Sequence, residues 1–232
     1  MSGHSHYHNI AAKKAKTDAA KGKTFSRLSK EITITVKQKG KDPDTNPALR
    51  TLIEKAKDSK MPQDNINRAI AKGSGELGAD EQYIESSYET VKNGVSIVVK
   101  TLSTNNNRVV AKINEIFKRN GVILAKSGSA SRNFEKLGII YVKNASDFNE
   151  DALINDVLEL GADDIDIQQD CSIVKCRPSM FDAILNRLQK KYDIDRQESS
   201  VCLYPIATVD TDDKTCESVN KLIDMLEEFE DV

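Results

Sequence analysis

From Gly138 to Ser200 the spacing of apolar residues switches between strand and helix period in a set order, and that order narrows the fold more than any other feature of the chain. Ile139 to Val142 reads as a strand and Glu150 to Leu160 as a helix. Ile165 to Gln168 and Ser172 to Cys176 read as two strands, Pro178 to Lys190 as a second helix, and Ile194 to Ser200 as a last strand. The order β-α-β-β-α-β is that of the ferredoxin-like split unit. Beyond it lie a short strand, Pro205 to Val209, and a helix, Glu217 to Phe229, with Val219, Leu222, Ile223, Leu226 and Phe229 along one face. These two are too little to fold alone. They are expected to return to an earlier segment, where strands Gln82 to Lys92 and Gly94 to Leu102 meet at a Lys92-Asn93-Gly94 turn. There a helix from Asn107 to Arg119 carries Val109, Val110, Ile113, Ile116 and Phe117. The expected domains are therefore 76–135 joined with 203–232, and a ferredoxin-like domain, 136–202, inserted within them.

The first 75 residues follow another rule. Between Lys23 and Lys39, Phe25, Leu28, Ile32 and Val36 are spaced by helical steps, which puts Lys23, Arg27, Lys30 and Lys37 on the opposite face. Ile32-Thr33-Ile34-Thr35-Val36 also alternates like a strand, so local propensity opposes the longer period. Asn46-Pro47 caps and starts a second helix with Leu49, Leu52, Ile53 and Ala56 inward. Pro62 restarts a third, with Ile66, Ala69 and Ile70 inward and Gly73 as its stop. Three helices with one apolar face each hide those faces against one another. The fold class expected is α+β, an N-terminal three-helix bundle plus two α/β-sandwich domains, one ferredoxin-like and inserted in the other. Gly73-Ser74-Gly75 reads as a hinge-like linker or as a tight turn, and Met1 to about Lys21, small, polar and cationic, as a mobile arm in the free protein.

Charge divides the chain along the same line. Residues 1–73 carry 16 lysines and arginines against 7 acids, a net +9, while the whole chain is −2, which leaves −11 for the remainder. Such asymmetry points to a polyanion partner for the basic part, because each phosphate neutralised by Lys or Arg releases condensed counterions. A solvated lysine-rich surface has the same composition.

Other chemistries fit poorly. No apolar run approaches the ~20 residues of a membrane span, and the N-terminus lacks the apolar core of a signal peptide, so a cytoplasmic protein is expected. Cys171, Cys176, Cys202 and Cys216 lack paired spacing and nearby histidines, and are expected as reduced thiols. His4, His6 and His8 alternate along an extended segment. They suit a transition metal or an arm that orders on nucleic acid, and the second is preferred. Ala20-Lys21-Gly22-Lys23-Thr24 ends like a phosphate-binding loop, but Thr17 stands where that loop needs glycine. A Ser or Cys nucleophile needs a histidine base, and every histidine lies in the arm. Asp163, Asp164 and Asp166 have oxygens for a divalent cation, yet sit where turn acids are common. Neither enzymatic activity, cofactor, metal, membrane nor small-molecule substrate is expected, and a monomer is favoured.

The motifs Gly3-His4-Ser5, Asn9-Ile10, Lys13-Lys14, Gly22-Lys23, Asp42-Pro43, Asn46-Pro47, Leu49-Arg50, Ile53-Glu54-Lys55-Ala56-Lys57, Met61-Pro62, Asp64-Asn65-Ile66 and Arg68-Ala69-Ile70 resemble the N-terminal signature of the YebC family. The likeness is nearly gap-free through Gly73 and continues more thinly, as at Asn105 to Arg108. Where that family shows a Tyr-Gly-Pro-Gly-Gly turn, this chain reads Tyr88-Glu89-Thr90-Val91-Lys92-Asn93-Gly94. The resemblance implies a three-domain regulator of gene expression. Its bacterial members imply DNA as partner; its mitochondrial members, translational activators of cytochrome c oxidase, imply the ribosome and ribosomal RNA. Candidate contacts are His4, Asn9, Lys13, Lys14, Lys16, Lys23, Arg27, Lys30, Arg50, Lys57, Arg68 and Lys72. Cations would meet phosphates, while His4 and Asn9 would reach base or sugar edges. A protein-binding adaptor, with the basic part aiding only solubility, is the reading from another class.

Overall fold

The structure is a computed structural model that describes residues 18–78, 82–144 and 148–232. Among the described residues, contacts group those up to 74 with those of 136–202 in one compact unit, and those of 75–135 with 203–232 in another.

In the first unit, α1 (Asp18–Lys39), α2 (Pro47–Asp58) and α3 (Gln63–Gly73) form a helical module around Leu28, Ile32, Val36, Leu49, Ala56, Met61, Ile66 and Ala69. The β-branched run stays helical because tertiary packing outweighs its strand propensity. Ile32 and Val36 are buried, and the Thr33 hydroxyl reaches the Ser29 carbonyl at 2.8 Å and that of Ala69 at 3.1 Å. Asn46, fully buried, joins α1 to α2. Its Oδ1 accepts the Leu49 N–H at 3.1 Å, and its Nδ2 donates to the Gly40 carbonyl at 2.9 Å. Helix α3 ends at Gly73, as the sequence suggests, with Ser74 following as its cap, but the glycine also meets α1. A Cβ there would stand 2.5 Å from the Thr33 carbonyl oxygen and 2.8 Å from Val36 Cβ, so glycine is required by the close approach of α3 to α1.

The same unit holds β3 (Phe134–Lys143), α5 (Glu150–Glu159), β4 (Asp164–Ile167), β5 (Cys171–Cys176), α6 (Phe181–Leu188) and β6 (Ser200–Pro205), α4 and α7 belonging to the other unit. Strand order β4-β5-β3-β6, with β5 antiparallel to both β3 and β4, is the ferredoxin-like arrangement. Ile140, Val142, Leu153, Val157, Val174, Ile184, Leu185 and Leu188 fill the layer between sheet and helices. The last strand starts later than its sequence suggests. Ile194 makes an isolated bridge to Val142, and residues 195–199 turn. The reason is Asp195, whose Oδ1 accepts the Gln197 N–H at 3.1 Å and so closes an Asx turn where a ladder would run.

In the second unit β1 (Ile84–Lys92) and β2 (Val95–Ser103) form a hairpin through Asn93 and Gly94, both at positive φ. Helices α4 (Asn106–Arg119) and α7 (Asp213–Glu227) bring Val109, Ile113, Ile116, Phe117, Val219, Leu222 and Leu226 against Tyr88, Ile97 and Val99. The strand expected at Pro205 to Val209 is not formed, because β6 ends at Pro205 and the Ile206 N–H turns to the Asn133 carbonyl at 3.0 Å. The returning segment is tied down at its end. Asp231, 4% exposed, receives the Arg108 guanidinium at 2.5 Å and the Ser103 hydroxyl at 3.1 Å, and its carbonyl receives the Leu102 N–H at 2.8 Å.

Candidate nucleic-acid interface

Burying Leu28, Ile32 and Val36 fixes how α1 is turned. Lys23, Arg27, Lys30 and Lys37, spaced by four, three and seven, then share the face away from the core; Lys23, Arg27 and Lys37 are exposed and Lys30 is half-buried. At 1.5 Å per residue the stripe runs roughly 21 Å, enough to track several successive phosphates. Glu31 lies 3.7 Å from Arg27, a loose pair one turn on that leaves the guanidinium more than half exposed.

Of the other candidates, Arg68 and Lys72 lie one turn apart on α3, and Lys57 is exposed in the last turn of α2. Arg50 braces a loop instead. Its guanidinium donates to the Asp44 carbonyl at 3.2 Å and lies 3.5 Å from the Asp44 carboxylate. His4, Asn9, Lys13, Lys14 and Lys16 fall outside the described residues. Gly22-Lys23-Thr24 sits within α1, so its N–H groups belong to a helix and not to a phosphate-cradling loop.

Two cations outside the candidate set join α2 to the ferredoxin-like domain. Lys55 lies on the face of α2 turned toward the ferredoxin-like domain, where its ammonium reaches the Ser199 carbonyl at 3.4 Å. Burial lowers its pKa, partly opposed by the carboxylate of Glu31. Arg196, from a domain rich in acids, reaches Asp58 at 3.1 Å and Glu54 at 3.8 Å. It pairs with two of the seven acids counted in the basic stretch and offsets one unit of their charge. Charge counting along the chain hides this, because the compensating group is about 140 positions away. Beside these contacts, a cleft of about 460 Å³ opens between Arg27, Glu31, Thr51 and Lys55 on one side and Asp182 and Glu198 on the other. Its lining mixes both signs of charge.

The remaining reactive side chains have structural partners. Asp164 pairs with Lys175 at 2.8 Å, Asp163 lies 3.9 Å from Arg177, and Asp166 accepts the Gln168 amide at 2.8 Å. Among the described residues no group of three or more His, Cys, Asp or Glu is placed to hold a metal ion. Burial pushes the Cys171 and Cys176 thiols up to about 11. No described helix is long and apolar enough to cross a membrane.

Residues 5–76 match the family model described as TACO1/YebC protein N-terminal domain, and residues 83–232 match that of the TACO1/YebC second and third domain. A probable transcriptional regulatory protein of a Nitratiruptor species is 43% identical over 233 residues, covering 100% of this chain and 97% of the relative. One from Halothermothrix orenii is 40% identical over 236 residues, covering 100% and 92%. The crystal structure of a conserved hypothetical protein from Aquifex aeolicus matches with a TM-score of 0.81 at 37% identity, over 94% of this chain and 89% of that one.

Proposed function

The chain belongs to the TACO1/YebC family, and from that premise we propose that it is a non-enzymatic, cytoplasmic regulator of gene expression that binds DNA through its basic helical module. The observation that carries this reading is the cationic stripe of α1, Lys23, Arg27, Lys30 and Lys37, set opposite a buried apolar face. Its donors suit phosphate oxygens and the packing behind them is rigid, so the stripe positions the protein on a duplex while carrying little base information itself. Lys57, Arg68 and Lys72 add cations on the neighbouring helices. The names of the curated relatives, probable transcriptional regulatory proteins, favour DNA.

The same face fits ribosomal RNA, whose backbone offers the same charge. Tyr7 and Phe25 are the aromatic residues of residues 1–73. Few stacking platforms favour backbone reading over capture of splayed single strands, on DNA or RNA alike.

The test is binding of a DNA duplex and of a ribosomal RNA fragment across a salt series. Affinity is expected to fall at least about tenfold between roughly 50 and 200 mM salt. Replacing Lys23, Arg27 and Lys30 with glutamine is expected to flatten that dependence by about two to three counterions. Unchanged affinity in the variant would remove the stripe from the interface. A partner bound with no salt dependence would favour the adaptor reading.

A further inference from the structure

The ferredoxin-like domain meets the helical module through a preformed turn. Besides the Gln197 N–H, Asp195 Oδ1 accepts the Glu198 N–H at 3.4 Å, and Asp195 is 4% exposed. The Ser199 hydroxyl donates to the Asp195 carbonyl at 2.7 Å and accepts the Tyr141 N–H at 3.0 Å. The Asp195 N–H donates to the Tyr141 carbonyl at 2.9 Å. Residues 195–199 are thus pinned to β3 by their own hydrogen bonds, whether or not α2 is present.

What this turn offers α2 is polar throughout. The Gln197 amide donates to the Lys55 carbonyl at 3.0 Å, and its oxygen accepts the Ser59 hydroxyl at 3.0 Å. Arg196 spans Asp58 and Glu54, Lys55 reaches the Ser199 carbonyl, and the Thr51 hydroxyl donates to Asp182 at 2.8 Å. The buried apolar clusters of the two sides are separate, although Ala48 and Leu52 face Phe181 and Val201 across the cleft beside the turn. One lies wholly between Phe25 and Ile70, the other wholly between Ile140 and Val201. The direct contacts of the turn with α2 are hydrogen bonds and part-exposed ion pairs, with Arg196, Glu54 and Asp58 each about a third to two-fifths exposed, and contacts of that kind are screened by salt.

We infer that the 195–199 turn is a salt-labile seat for α2, and that Arg196 is its positioning residue, tuning the charge of the module as well as holding it. Leaving the seat uncovers Glu54 and Asp58 and removes a cation beside them. The seated module is therefore the more electropositive one. By linkage, a polyanion that prefers the seated state also stabilises the seat. The second half of this inference rests on the nucleic-acid reading above; the seat itself does not.

The experiment uses the full chain with spin labels on cysteines introduced at Gln63 and Lys190, both exposed, after Cys202 and Cys216 are replaced by serine. Pulsed electron resonance is expected to give one narrow label separation at about 50 mM salt and a broad one at about 1 M, where the Debye length falls to about 3 Å. Arg196→Ala with Gln197→Ala is expected to give the broad distribution at low salt, with cooperative thermal melting retained. A narrow distribution under all these conditions would overturn the seat, as would broadening that appears only with melting. On a DNA duplex and an RNA duplex, Arg196→Ala is expected to weaken binding about threefold or more, and adding Glu54→Gln and Asp58→Asn to restore it. Failure of Arg196→Ala to weaken binding would overturn the coupling alone. Failure of the unmodified protein to bind either duplex would sink the nucleic-acid reading, while the label separations still decide the seat.

Discussion

Glu89 is 4% exposed, yet its carboxylate stays ionised to low pH. Burial alone would raise its pKa, but N–H groups of Gly128, Ala130 and Ser131 and the Ser131 hydroxyl all donate to it, and together they hold it at about 2. It thereby fixes the loop that leads from α4 to β3. A folded-state pKa below the ordinary 4.5 means that the stabilisation is present above about pH 4.5 and is lost as pH falls through about 2. Glu89→Gln is expected to cost roughly 2 to 3 kcal/mol at neutral pH, with the deficit narrowing below about pH 4. Urea unfolding of both proteins across that range measures it. No pattern in the sequence marks Glu89, since its four donors come from about forty positions downstream and a strand glutamate ordinarily faces water.

The helices are legible where period and packing agree. α1, α2 and α3 lie where their apolar stripes put them, and Leu28, Ile32, Leu49, Ala56, Ile66 and Ala69 are the buried core. The sequence falls short where a tertiary contact adds to a local rule or overrides it. Gly73 ends α3 where the sequence puts the stop, yet what requires glycine there is the contact between α3 and α1, which no local pattern marks. Gly73→Ala tests which role matters. Helix propensity alone would favour alanine by about 1 kcal/mol, whereas the Cβ clash should cost about 1 to 3 kcal/mol. A lower thermal midpoint is expected, and a higher one would show that the contact does not require glycine. Ile194 to Ser200 does mislead, because its alternation is that of a strand and the Asp195 side chain breaks the ladder.

Across the whole molecule the charges are sorted by segment. Residues 203–232 carry nine acids against two cations, beside the net +9 of residues 1–73. On the proposed nucleic-acid reading, acids at the C-terminal end would repel phosphates and leave the basic module as the favoured contact. Replacing Glu227, Glu228 and Glu230 with glutamine is expected to strengthen nonspecific DNA binding about two- to fivefold at low salt, measured by anisotropy with a random duplex. Unchanged affinity would remove that orienting role.

Residue order is enough to specify the helical module, the β-α-β-β-α-β succession, the return of the C-terminal helix and the sorting of charge. The helices and strands are patterns of neighbouring residues, enforced by burial of one face, and the charge sorting is read directly from the order of residues. Folding in three dimensions was needed to make Gly73 a contact, to turn residues 195–199, and to set Arg196 over Glu54 and Asp58. Those outcomes depend on groups brought within a few ångströms from distant positions. An acid counted in the basic module therefore finds its cation in a domain that folds from another part of the chain.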